Sequence, residues 1–166
     1  MLRWVLFALC LGICASASAS ARKEAIKVAE PSPLSRGWGD SLDWVESYEK
    51  GLEMLENSKK PLMVIIHKEN CTDCEALKKA FVASHPIQKM AKEDFIMVNL
   101  LTIETTDKNL APDGDYVPRI LFFGPSKTLL KIGGKYSTRE YTYDPSDMVH
   151  LSVNMQQAKA PTHSEL

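Results

Sequence analysis

The stretch Pro61-Leu62-Met63-Val64-Ile65-Ile66-His67, followed after three polar residues by Cys71-Thr72-Asp73-Cys74, decides the fold of this chain. The apolar run is typical of a buried strand, and residues 75–81 continue in a helical pattern. A strand that leads into a helix places Cys71 at the helix N-terminus, where unpaired N–H groups and the helix dipole favour a thiolate. Cys74 lies one turn further along the same face. This arrangement predicts a dithiol that closes into a disulfide and reopens, which is the chemistry of thiol–disulfide exchange.

The same C-x-x-C spacing also opens many zinc sites, so two other interpretations stand beside the redox one. The chain has four cysteines, of which Cys10 and Cys14 lie in a segment that we expect to be removed. Cys71 and Cys74 then supply only half of the four ligands that a structural zinc usually needs. His67 could add a third ligand, but the sequence offers no obvious fourth. We therefore expect no metal and no cofactor, with an inert structural pair as the remaining alternative.

Residues 1–20 have the pattern of a secretory signal peptide. Arg3 provides the positive start, and the apolar run from Trp4 to Ile13 is shorter than the about 20 residues that span a bilayer. Small residues in an A-x-A pattern follow. The alternative is an N-terminal membrane anchor, but the short run favours cleavage over membrane insertion. With 20 basic and 21 acidic side chains and no basic stripe between aromatic residues, we expect no nucleic-acid binding.

The remainder predicts one domain between two polar ends. Residues 21–36 lack a core pattern and are interpreted as a flexible arm, residues 37–160 as the domain, and residues 161–166 as a tail. Within the domain, Trp38 is expected to pack against the core. The predicted elements are a helix from Asp40 or Ser41 to about Asn57, strands over 61–67, 95–101 and 117–123, a hairpin return over 128–132, and a final helix from Asp144 to about Lys159.

This order of elements predicts an α/β fold with a mixed central sheet and helices on both faces. It resembles the thioredoxin fold. Five segments further resemble the anterior gradient family, which belongs to the protein disulfide isomerase group of the endoplasmic reticulum. They are Leu34-Ser35-Arg36-Gly37-Trp38-Gly39-Asp40, Lys60-Pro61-Leu62-Met63, Ala76-Leu77-Lys78-Lys79, Glu104-Thr105-Thr106-Asp107-Lys108 and Tyr116-Val117-Pro118-Arg119-Ile120.

The resemblance implies a role for each residue of the predicted site. Cys71 would be the nucleophile, Cys74 its resolving partner, and Pro118 a cis-proline that faces them. The implied activity is that of a thiol–disulfide oxidoreductase or isomerase, acting on secretory client proteins through mixed disulfides. The alternative is a secreted signalling ligand for a small cell-surface receptor, a role that the resemblance also implies.

The sequence departs from the related patterns at several positions. The best-known members keep only the first cysteine, whereas both are present here. Asn70 replaces the tryptophan common before C-x-x-C, and Ile65 stands where isomerases carry a buried acid. Lys50 and Met54 fall where the family makes its dimer contact, so a homodimer is left open.

Two short motifs bear on compartment and modification. The C-terminal His163-Ser164-Glu165-Leu166 resembles the K-D-E-L retrieval signal, although a solvated tail is the alternative. With the signal peptide, it predicts a retrieval receptor as partner and location in the endoplasmic reticulum lumen with some secretion. Asn70-Cys71-Thr72 matches the glycosylation acceptor pattern but falls at a helix start. We expect this acceptor to be mostly unoccupied.

Overall fold

The computed structural model describes residues 32–160. The predicted signal peptide, residues 21–31 of the predicted arm and the tail 161–166 lie outside the described residues. Short 3-10 turns connect seven longer elements, which are α1 (Tyr48–Asn57), β1 (Leu62–His67), α2 (Thr72–Ala83), α3 (His85–Asp94), β2 (Ile96–Leu101), β3 (Arg119–Phe123) and α4 (Met148–Lys159).

The three strands form one mixed sheet in the order β2-β1-β3. β1 runs parallel to β2, with Val64 opposite Val98, and antiparallel to β3, with Ile65 opposite Ile120. Every residue of β1 is buried, as expected for a central strand that is covered on both faces. The predicted mixed sheet is therefore confirmed.

Successive side chains of β1 point to opposite faces of the sheet and so divide the core into two clusters. Met63 and Ile65 pack in the cluster that takes side chains from α2, α3 and α4. Leu62, Val64 and Ile66 pack in the cluster that includes residues of α1. The helices thus cover both faces, in agreement with the predicted thioredoxin-like fold. Trp38 is fully buried in the first cluster, as expected.

The predicted start of the first helix was wrong. Helix α1 begins at Tyr48, and the Ser47 side chain caps it by accepting a hydrogen bond from the Lys50 N–H. The preceding residues do not continue the helix because Trp44 forms a parallel bridge with Met97 of β2. The Val45 N–H donates to the Met97 carbonyl over 2.9 Å. Pairing with the sheet outweighed the helical spacing of the apolar residues.

The predicted hairpin over 128–132 is reduced to one isolated bridge between Phe123 and Leu129. The chain turns at Gly124, whose N–H donates to the Thr128 carbonyl over 3.1 Å. The Ile132 N–H then donates to the nearby Leu130 carbonyl, a local turn that replaces cross-strand pairing. The returning segment follows β3 only briefly.

The interpretation of residues 21–36 as a flexible arm needs correction over 32–36. Pro33–Ser35 form a short 3-10 helix, and Ser35 is buried. The Arg36 guanidinium donates to the Asn99 carbonyl over 2.8 Å and pairs with Glu104 over 2.6 Å. The packed domain therefore starts before residue 37, because these polar contacts and the packing of Leu34 against the first cluster bind the segment to the core.

Helix α4 starts close to where the Asp-Pro motif predicted. Asp144 precedes a 3-10 turn over Pro145–Asp147 that leads into α4, and the Asp144 N–H donates to the Asp147 carboxylate. Burial alone would raise the pKa of Asp147, but hydrogen bonds from Lys135, the Asp144 N–H and Tyr136 outweigh it and lower that pKa. Within residues 32–160, no helix has the length and apolar character needed to cross a membrane.

Candidate functional site

Cys71 and Cys74 lie at the predicted junction between β1 and α2. Cys71 is the N-cap of α2, and its Sγ accepts a hydrogen bond of 3.1 Å from the Cys74 N–H. The two cysteines form a disulfide, with their Cα atoms 5.2 Å apart. Cys71 is 8% exposed and Cys74 1% exposed. Cys71 is therefore the more accessible residue of the pair, but it is less open than the sequence suggested.

A short exposed turn delivers Cys71 to the helix. β1 ends at His67, and residues 68–70 are exposed. Asn70 adopts the left-handed conformation with φ of 54°, which asparagine tolerates better than most residues. This turn lets the chain leave the sheet and enter α2 directly at Cys71.

A groove of about 410 Å³ lies beside Cys71. On the side of the dithiol it is lined by the turn before α2 and the first residues of that helix, including Lys68 and Asp73. The opposite wall comes from Asp115, Tyr116 and Val117, joined by Arg139 from the segment before α4. The groove carries two acidic and two basic side chains, so its charges balance.

Pro118 stands next to this groove, and its peptide bond with Val117 is cis, as predicted. Pro118 is buried and immediately precedes β3, whose first residue Arg119 pairs with Ile66 of β1. The Pro118 carbonyl accepts a hydrogen bond from the Thr142 hydroxyl over 3.2 Å. The sheet therefore brings the Val117–Pro118 segment to the same end as the cysteines, although the two are more than 40 residues apart in sequence.

A second groove of about 690 Å³ shares Lys68, Asp115 and Val117 with the first. It continues along residues 102–111, which follow the carboxyl end of β2. In open α/β sheets, ligands commonly bind outside the carboxyl ends of the strands. The two grooves are therefore neighbours on the surface, and the smaller one adjoins the dithiol.

His67 does not join the cysteines in a metal-binding cluster. Its buried ring contacts Trp38 edge-on, and its Nε2 donates to Asn99 Oδ1 over 3.3 Å. Burial lowers the pKa of His67 despite this hydrogen bond. Within residues 32–160, no group of three or more His, Cys, Asp or Glu side chains is placed to hold a metal ion.

The wall opposite Cys71 contains a polar network that the sequence did not predict. The Tyr116 hydroxyl donates to the Asp113 carboxylate over 2.7 Å and accepts from the Tyr141 N–H over 3.0 Å. Burial, followed by the hydrogen bond to Asp113, raises the pKa of Tyr116. Arg119 and Arg139 lie over the Tyr116 ring at 5.5 and 5.7 Å. The only sequence signal for this segment was the family resemblance of the run Tyr116-Val117-Pro118-Arg119-Ile120.

The fold and the cysteine pair define the class, a thioredoxin-like protein with the dithiol arrangement of the thioredoxin-fold oxidoreductases. A family model described as thioredoxin-like matches residues 43–125. Among solved structures, the solution structure of a thioredoxin from Thermus thermophilus superposes with a TM-score of 0.52 at 17% identity. That superposition covers 70% of this chain and 86% of the thioredoxin, and it supports the fold alone.

The chain belongs to the anterior gradient family. It is 56% identical over 137 residues to anterior gradient protein 3 of Mus musculus, with 82% of each chain covered. It is 55% identical over 137 residues to anterior gradient protein 3 of Homo sapiens, again with 82% of each covered. These comparisons confirm the resemblance that the sequence motifs carried.

Proposed function

We propose that this protein is a thiol–disulfide oxidoreductase or isomerase that acts on client proteins in the secretory pathway. One observation carries the proposal, namely the Cys71–Cys74 disulfide at the N-terminus of α2. In the reduced protein, the helix end and the Cys74 N–H would stabilise a thiolate on Cys71. The adjoining groove provides room for a client chain beside that sulfur.

The proposed reaction proceeds through a mixed disulfide. The Cys71 thiolate attacks one sulfur of a client disulfide, the client S–S bond breaks, and the other client sulfur leaves as a thiolate. The Cys74 thiolate then attacks Cys71, which forms the intramolecular disulfide and releases the second client thiolate. The client disulfide is thereby reduced as the dithiol is oxidised. The same steps in reverse oxidise a client dithiol. When another client thiolate attacks the client sulfur of the mixed disulfide instead, Cys71 leaves as a thiolate and the client keeps a rearranged disulfide with no net change in oxidation state.

The compartment is part of the proposal. The predicted signal peptide and the retrieval-like His163-Ser164-Glu165-Leu166 favour the endoplasmic reticulum lumen with some secretion, and a retrieval receptor as partner. This setting suits the chemistry, because disulfides form and persist in oxidising compartments.

The test compares single cysteine variants in thiol-blocked secretory cells on non-reducing gels. Cys74→Ala should accumulate covalent client adducts, because Cys71 still attacks but release is lost. Cys71→Ala should capture almost none, because Cys74 is nearly inaccessible at 1% exposure. Equal adduct levels from the two variants, or none from either, would contradict the proposal. That result would favour the extracellular ligand for a cell-surface receptor instead.

A further inference from the structure

Arg119, the first residue of β3, is a buried cation that binds backbone rather than carboxylates. It is 3% exposed, and its Nε donates to the Leu110 carbonyl over 2.9 Å. Its Nη1 donates to the Gly114 carbonyl over 3.1 Å and also to the Tyr116 carbonyl. None of the salt bridges formed within residues 32–160 includes Arg119. All three carbonyls belong to the segment that leads to Val117 and Pro118.

Burial of this guanidinium disfavours its charged form. Burial lowers the pKa of Arg119, and the negative charges of Asp115 and Asp113 only partly offset that cost. A buried charged group is costly unless hydrogen bonds satisfy it, and here carbonyls of one loop provide them. The planar fork of arginine suits this task, because it can bind several carbonyls at fixed angles.

The loop that Arg119 binds forms the wall that faces Cys71. Asp115 and Val117 line both grooves, and Tyr116 lines the groove beside the dithiol. The Tyr116 hydroxyl makes two further hydrogen bonds, one to the Asp113 carboxylate and one from the Tyr141 N–H. On the buried side, among these contacts, only Arg119 donates hydrogen bonds to the loop. Removing its guanidinium should therefore make the wall more mobile while the dithiol stays in place on α2.

We propose that Arg119 is a positioning residue that holds the Tyr116–Val117 wall in the orientation needed to seat a client chain beside Cys71. The inference rests on the proposed function and assigns Arg119 to client binding rather than to the reacting sulfurs. Its contribution should therefore appear in KM and in the motion of the loop, with little change in kcat.

The experiment compares three variants of the full chain. Arg119→Met keeps a long side chain but removes every donor, and Arg119→Lys keeps the charge with a different donor geometry. Arg36→Met is the matched control, because Arg36 also binds a main-chain carbonyl, that of Asn99, but lies outside the groove wall. Hydrogen exchange is measured by mass spectrometry at Leu110 and Ala111, whose N–H groups donate to the Asp107 and Lys108 carbonyls. Steady-state kinetics follow reduction of an unstructured disulfide peptide, with glutathione as the electron donor.

For Arg119→Met, we expect exchange of the hydrogen-bonded Leu110 and Ala111 amides to accelerate about tenfold, because the local opening that exposes them no longer breaks the bond from Arg119 to the Leu110 carbonyl. KM should rise about tenfold, equivalent to a loss of about 1.4 kcal/mol, with kcat within about twofold. Arg119→Lys should restore part of both effects, and Arg36→Met should reproduce neither.

Unchanged exchange of the Leu110 and Ala111 amides would overturn the inference whatever the kinetics show. Faster exchange with an unchanged KM would also overturn it, because the wall would then not seat the client. If the wild-type chain reduces no peptide, the proposed function fails instead, and with it the client role of Arg119. In that case hydrogen exchange still decides whether Arg119 holds the wall. If Arg119→Met does not fold, Arg119→Lys decides the matter by the same two measurements.

Discussion

The backbone N–H of Cys74 donates a hydrogen bond to the sulfur of Cys71 across 3.1 Å. This contact makes Cys71 a helix cap as well as half of a disulfide. A donor fixed at this position stabilises negative charge on the Cys71 sulfur when the bond is reduced. It gives the two cysteines of the pair different chemistry.

In the reduced protein, Cys71 should react with iodoacetamide faster than Cys74 at neutral pH. Asp73, exposed at the same helix start, opposes the Cys71 thiolate, so Asp73→Asn should lower the Cys71 pKa. The alkylation of Cys71 should therefore begin at lower pH in this variant, because one nearby negative charge is removed. The pH dependence of alkylation, read by peptide mass spectrometry, measures this shift. Asp43→Asn, also at an exposed position, is the control, and an equal shift there would refute the assignment to Asp73.

His67 should make the protein less stable in mild acid. Burial lowers its pKa in the folded state, with Arg36 and Lys78 adding to this effect, whereas the Asn99 hydrogen bond and Glu104 oppose it. The unfolded chain therefore binds the proton first as the pH falls below about 6.5, and the free energy of unfolding declines until the folded pKa is passed.

The corresponding variant is His67→Gln, which keeps a polar side chain without this titration. Its loss of stability between about pH 7 and pH 5 should be smaller than that of the wild type. Urea unfolding at each pH gives the comparison. His85→Gln, at an exposed position of α3, serves as the control. Parallel pH profiles for wild type and His67→Gln would rule out this role for His67.

Gly134→Ala should destabilise the fold by about 2 kcal/mol, in the range of overpacked sites. A Cβ at Gly134 would lie 2.0 Å from the Thr142 carbonyl oxygen, and this neighbour is backbone. The matched substitution is Gly124→Ala, whose Cβ would lie 3.1 Å from a methyl of the flexible Leu130 side chain. In thermal unfolding, the melting temperature of Gly134→Ala should be well below that of Gly124→Ala. Equal melting temperatures would show that the segment 134–142 shifts at no cost.

Removing Ser164, Glu165 and Leu166 should raise the secreted fraction in transfected cells, because a retrieval receptor would lose its signal. Immunoblots of medium and lysate measure the ratio. Replacing the last four residues with Lys-Asp-Glu-Leu should lower secretion and serves as the opposite control. A ratio that responds to neither change would indicate that the segment is a solvated tail.

The acceptor pattern at Asn70 should remain mostly without glycan. Asn70 adopts a left-handed conformation, and Thr72 already belongs to α2. Once this region folds, the acceptor segment lacks the extended conformation that glycan transfer requires. Glycosidase treatment of the secreted protein should leave its mass unchanged, as it should for Asn70→Gln. A mass decrease in the wild type alone would show that the site is occupied.

The buried strands and the C-x-x-C junction could be predicted because local patterns determine them. The run 61–67 is apolar on both faces, and the helix after Cys71 keeps its spacing. The start of α1 was mispredicted because Trp44 bridges Met97, a contact between residues far apart in sequence. The predicted strand pairing of residues 128–132 was also mostly wrong, because local turns replace most of the expected hydrogen bonds to β3.

Part of the candidate site could not be predicted for a related reason. Arg119 is held by main-chain carbonyls, and carbonyls occur at every position and leave no sequence signature. Tyr116 joins segments that only the folded chain brings together, through Asp113 and Tyr141. The cysteines were predictable from their spacing, whereas the wall opposite them depends on the tertiary structure.

Strand β2 forms one side of the sheet, and two of its carbonyls are already engaged by residues outside β1. The Met97 carbonyl accepts from the Val45 N–H, and the Asn99 carbonyl accepts from Arg36. An open strand edge is a template on which another polypeptide can add and start fibrillar aggregation. Here a second chain would first have to displace Val45 and Arg36, so amyloid-type growth from β2 must break native contacts before it makes new ones.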